Sequence, residues 1–110
     1  MYMKGTYLGE FEEVVLLAVA IRSGDAYGAA IVTEIESQMR RSVNLGAVHS
    51  ALYRLQEKGL VTSAMGGMTS ERGGRRKRLY SVTGAGRRVL EEIRQLRNQM
   101  WDAIPQTAWS

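Results

Sequence analysis

Four consecutive cations, Arg75, Arg76, Lys77 and Arg78, follow the Gly73-Gly74 pair, with Arg72 just before it. A glycine-rich tip can lie close to a duplex while neighbouring cations neutralise phosphates and release their counterions. The plainer alternative is a solvated charge run, and the distribution of charge along the chain argues against it. Residues 1 to 39 hold two basic and six acidic residues, residues 40 to 88 hold eleven and two, and residues 89 to 110 hold two and three. A basic middle between two mildly acidic ends implies one face that attracts a polyanion, with the remaining segments serving packing and assembly.

Other chemistry is sparse. The chain has no cysteine, which excludes disulfides and thiolate metal sites and fits a reducing compartment, so a cytoplasmic, nucleoid-associated location is expected. His49 is the single histidine and has no helper for metal or catalytic work; a groove contact is the reading preferred over an idle exposed side chain. Gly84 and Gly86 lack the context of a phosphate-binding loop. Glu12, Glu13, Glu34, Glu36, Glu91 and Glu92 fall on helices where caps, dipole complements and solvated faces explain them, and no nucleophile elbow accompanies them. No enzyme, cofactor or metal is expected. The apolar run from Val14 to Ile21 is too short for a bilayer span, and neither a membrane segment nor a signal peptide is read.

The elements that must position these residues follow from periodicity and caps. A first helix is expected from about Leu8 to Arg22, with acidic residues in its first turn and Gly24 past its end. Because Val14 to Ile21 is apolar on every side, the helix must be covered all round, which a chain of 110 residues can scarcely do alone; a second subunit is the natural cover. Asp25 would cap a second helix running to about Arg40, with Tyr27, Ile31, Ile35 and Met39 inward. Asn44 would cap a third, with Leu45, Val48, Leu52 and Leu55 inward and Gly59 closing it. The outer face of that helix carries Ala47, His49, Ser50, Tyr53 and Arg54, small and polar side chains that can reach base edges without holding a helix out of the major groove.

Two helices so joined make a helix-turn-helix. Beyond it, Leu60 to Thr62 read as a short strand, Met65 to Gly74 as a glycine-rich loop, and Arg76 to Val82 as the returning strand. Strand alternation places Arg76 and Arg78 on the face of Tyr80 and Val82, where one or both would pack their stems inward, leaving Arg75 and Lys77 as the safer backbone contacts. Thr83 would cap a last helix in which Val89, Ile93, Leu96, Met100 and Ala103 or Ile104 recur at spacings of four and three until Pro105. Such a seam suits a helix of another subunit, and Trp101 beside it is a candidate wall for a planar effector; a purely structural interface role is the alternative.

These segments together resemble the PadR family of regulators. The pieces that carry the likeness are LGEFEEVVLLAVA at Leu8 to Ala20, AYGAAI at Ala26 to Ile31, LGAVHSALYRLQEKGLV at Leu45 to Val61, ERGGRRKRLYSVTGAG at Glu71 to Gly86, and the Met100-Trp101 pair. The resemblance implies a winged-helix domain whose third helix enters the major groove, a basic wing on the backbone or minor groove, a dimer built by the terminal helices, and repression released by a small molecule or a modification. Two departures limit the carry-over. His49-Ser50 stands where many members have Tyr-Pro, and the single short last helix belongs to the family's small branch, so an effector site must lie at the dimer interface.

The expected fold is α+β, mostly helical: a winged helix-turn-helix over residues 1–82, a dimerisation helix over 83–104 and a tail over 105–110. The expected partners are double-stranded DNA, a second copy of the chain and a small-molecule effector, with a palindromic operator read one DNA turn apart. Candidate DNA contacts are Tyr27, Asn44, Ala47, His49, Ser50, Tyr53, Arg54, Arg75, Arg76, Lys77 and Arg78. Candidate dimer contacts are Phe11, Val15, Val89, Ile93, Leu96, Met100, Trp101 and Ile104. The alternative of another class is a winged-helix assembly module whose cations meet an acidic protein.

Overall fold

The computed structural model describes residues 8–68 and 76–109. Helices α1 (Glu10–Ile21), α2 (Gly28–Met39) and α3 (Leu45–Glu57) are followed by an antiparallel hairpin of β1 (Val61–Met68) and β2 (Arg76–Val82), then by α4 (Gly84–Asp102) and a 3-10 helix, Gln106–Trp109. The first three helices pack on one another around Leu16, Ile31, Ile35, Leu52 and Leu55, and Leu60, Val61 and Tyr80 of the hairpin close the core.

The expected caps hold at two helices and fail at one. Asn44 Oδ1 accepts from the Ala47 amide at 3.1 Å, and Thr83 Oγ1 accepts from the Gly86 amide at 3.0 Å, each satisfying a donor that the first turn leaves without a helical partner. Asp25 does not cap α2. That helix starts at Gly28, two residues later than a cap at Asp25 implies, because Ala26 is fully buried and its carbonyl accepts from the Tyr80 amide of β2 at 2.8 Å, an extra rung beside the hairpin that leaves Tyr27 extended. Tyr27 becomes the N-cap residue, without a side-chain cap.

Strand β1 runs to Met68, well past the Thr62 expected, so Met65 to Met68 belong to the hairpin and not to its loop; 69 to 74 of that loop lie outside the described residues. The register pairs Val61 with Val82 and Met65 with Arg78, then slips before Met68 meets Arg76, and Gly66 and Gly67 occupy the slip, where an irregular backbone suits glycine. Gly59, at φ 76°, turns the chain out of α3 into β1 as anticipated.

Leu45, expected inside, is 46% exposed in the first turn of α3, ahead of the point where that helix meets the core. Helix α4 packs through Gly86, Val89 and Ile93, and its second half projects from the body. The Cα radius of gyration is accordingly 16.3 Å, against about 13 Å for a compact chain of this length.

Candidate nucleic-acid interface

Helix α3 presents Ala47, His49, Ser50, Tyr53 and Arg54 to solvent while Val48, Ala51, Leu52 and Leu55 are buried, so one stripe is held rigidly by the other. Asn44 spends its carboxamide oxygen on the cap. The His49 ring lies over Gly28, the first residue of α2, so closely that a Cβ there would come within 3.0 Å of Nε2. Tyr53 is exposed, and its phenol is held above its ordinary range by the hydrogen bond to Glu57 and that residue's negative charge.

Arg54 is tied in a way the sequence reading did not foresee. Its Nε donates to Glu12 Oε2 at 2.6 Å, and Lys58 Nζ, one turn further along α3, donates to Glu12 Oε1 at 2.8 Å. Glu12 is the buried charged residue among those described. Burial works against its ionised form, but the hydrogen bonds and charges of Lys58 and Arg54 outweigh it and hold the carboxyl below its ordinary value of 4.5. Glu12 is thus no solvated first-turn carboxylate. The signal for it was present in the sequence: Val15, Leu16 and Val19, at i+3, i+4 and i+7 from Glu12, are the inner stripe of α1, and Arg54 and Lys58 are i,i+4 neighbours able to meet it.

The hairpin leans on the start of α2. Lys77 Nζ sits 3.8 Å from the centroid of the Tyr27 ring, a cation–π contact just beyond the rung made by Ala26 and Tyr80. Arg78, one of the two arginines whose stems alternation makes candidates to pack inward, is exposed: Nη1 donates to Ser63 Oγ at 3.1 Å, and Ser63 donates to Gln56 of α3 at 3.3 Å, so cross-strand polar partners draw the side chain along the surface. Arg76 opens β2, and Arg75 lies outside the described residues. Tyr27, His49 and Lys77, distant in sequence, therefore converge where α2 begins.

The terminal helices divide the expected dimer residues. Val15, Val89 and Ile93 are buried in the protomer's own core, so they cannot form the outer face assigned to them. Phe11 is half-buried under the Arg41 guanidinium at 6.0 Å, and Ile104 is half-buried. Leu96, Met100 and Trp101 are exposed, as are Leu17 and Ile21 of α1, which the sequence reading did not single out. Trp101 and Trp109 stack with ring centroids 6.4 Å apart, and an open groove of about 400 Å³ between α1 and α4 is lined by Leu17, Leu90, Arg97 and Trp101 among others. Among the described residues no helix is long and apolar enough to cross a membrane.

The family model for the transcriptional regulator PadR-like family matches residues 16–92, from within α1 to the middle of α4. The chain belongs to this family. Solved PadR-like structures share its fold. A PadR-like transcription factor from Bacteroides fragilis is 21% identical with a TM-score of 0.67, and one from Bacillus cereus is 22% identical with a TM-score of 0.69; each alignment covers 84% of both chains. A PadR family transcription regulator from Clostridium difficile is 28% identical with a TM-score of 0.64, covering 86% of this chain and 97% of that one. No match was found among curated proteins. The winged helix-turn-helix is thus the architecture of this PadR-like chain, and its family is one of transcriptional regulators rather than enzymes.

Proposed function

We propose that this PadR-like chain is a sequence-specific regulator that binds double-stranded DNA as a homodimer and represses at a palindromic operator. The observation that carries the reading is the exposed small-and-polar stripe of α3 beside a cationic hairpin whose base is hydrogen-bonded to the start of α2. In that reading α3 enters the major groove, where His49, Ser50, Tyr53 and Arg54 meet base edges, while Lys77, Arg78 and the preceding arginines neutralise phosphates. The basic surplus of residues 40 to 88 supplies the salt-sensitive share of affinity.

The dimer would cover the exposed apolar side chains of α1 and α4, Leu17, Ile21, Leu96, Met100 and Trp101, which a soluble protomer rarely leaves open together. Trp101 is then the wall against which a planar effector stacks to release the operator, in the cytoplasm. The test is titration of the purified protein against a fragment from upstream of its own gene and against a scrambled duplex, at low and physiological salt. Preferential, salt-weakened binding of the upstream fragment by a dimer is the expected result. Equal or absent binding to both duplexes by a folded dimer would refute it.

A further inference from the structure

We propose that Glu12 is a positioning residue of the DNA interface: its carboxylate fixes the direction in which Arg54 offers its guanidinium, and so sets selectivity between sequences more than affinity for DNA. The inference rests on the reading of α3 as the helix that meets the duplex.

The side chain of Glu12 is 11% exposed, on the inner side of α1, where an uncompensated carboxylate would be costly. Two cations from successive turns of α3 compensate it, one on each oxygen. They differ in what they keep available. The Lys58 side chain is 24% exposed and the Arg54 side chain 49%, so Arg54 is anchored at one end and open at the other. A guanidinium carries five N–H donors in a rigid plane, and the Nε contact uses one of them. Holding Nε restricts the positions that plane can take, so part of the rotamer freedom that an unrestrained arginine would lose on docking is already lost on folding.

Charge points the same way. A carboxylate beside a surface that meets phosphates weakens binding to every duplex alike, since phosphate attraction carries no sequence information. Its compensation lies in discrimination, where a bidentate arginine on guanine depends on orientation.

The test uses the full chain, a duplex enriched by the wild-type protein from a random-sequence pool, and a scrambled duplex of the same composition, with thermal unfolding measured alongside. Glu12→Gln is expected to lower the ratio of the two affinities about tenfold while binding to the scrambled duplex holds or tightens, because one anion has gone. In an Arg54→Ala background the same substitution leaves the ratio unchanged. Arg54→Lys, which keeps the charge and does not alter Glu12, lowers the ratio without changing the salt slope. An unaltered ratio in Glu12→Gln or Arg54→Lys, or equal losses from Glu12→Gln in both backgrounds, would overturn the proposal and leave Glu12 a structural tie. If His49→Ala with Ser50→Ala abolishes preference and Arg54→Ala does not, this inference fails while the DNA reading stands; if the wild type enriches no sequence, both fail.

Discussion

Replacing Gly86 by alanine tests how α4 is seated on the hairpin. A Cβ at this position would lie 2.3 Å from the Leu60 carbonyl oxygen and 2.8 Å from Val82 Cγ1. The nearer atom is backbone, and its residue is held in place: the Leu60 carbonyl already accepts from the Thr83 amide at 3.0 Å, and the Leu60 amide donates to the Leu55 carbonyl at 2.9 Å. Relief therefore requires the first turn of α4 to move outward by about 1 Å, at the overpacking cost of roughly 1–3 kcal/mol, to which the strained cap of Thr83 adds about 1 kcal/mol. Against this, alanine gains up to about 1 kcal/mol over glycine in a helix. The net expectation is a loss of about 2 kcal/mol, or roughly 10 °C in Tm for a domain of this size. Gly84→Ala is the control, because a Cβ there meets only Arg88 Nη1, at 3.6 Å. Urea and thermal unfolding at one fixed protein concentration would measure both variants, since unfolding of the proposed dimer would depend on concentration. Equal stability of Gly86→Ala and wild type, or a larger loss in Gly84→Ala, would refute the reasoning.

Glu12→Gln is also expected to change the acid response. Because the folded protein holds the Glu12 carboxyl below 4.5, its stabilisation is complete above the unfolded value and disappears as pH falls through the folded one. Wild type should exceed the variant by about 2 kcal/mol at pH 7, with the gap closing below about pH 4.5 in urea titrations; a gap independent of pH would exclude ionised Glu12 as its source. If the proposed dimer buries Leu17, Leu17→Glu should convert it to monomers in light scattering, since a twofold contact meets the new charge twice, while α1 stays folded by circular dichroism; a dimer of unchanged molar mass would remove Leu17 from the proposed interface. Lys77→Ala should weaken binding to all duplexes and reduce the salt slope by about one per subunit, and it should lower stability by about 0.5–1 kcal/mol through the lost contact with Tyr27. A slope equal to wild type would place Lys77 away from the phosphates.

Much of the architecture was readable because local signals and packing agree. Asn44 and Thr83 have hydroxyl or carboxamide oxygens in reach of a first-turn amide, and both cap as their types predict. The helix pattern of Val48, Leu52 and Leu55 matches the buried face of α3, and β2 spans Arg76–Val82 as alternation implied. Failures came where a distant segment competes with a local preference. Asp25 is a good cap by type, but β2 takes the Ala26 carbonyl as a rung and delays α2. Val15, Val89 and Ile93 follow a heptad-like seam, yet the protomer's own core claims them, and the seam is open only beyond Ile93. Arg54 and Glu12 stand 42 residues apart, so although Glu12 lies on the inner stripe of α1 and Arg54 shares a face with Lys58, it takes the packing of α1 on α3 to join them.

Glu12 and its neighbour Glu13 leave α1 about 100° apart around the helix axis. The first holds Arg54 and Lys58 of α3, and the second meets Arg97 of α4 at 3.4 Å. One short helix thus carries a tie to each of two others, α3 on one side and α4 on the other. In the proposed dimer, where α4 would join the protomers, these two ties place α1 between the joining helix and the helix proposed to read DNA.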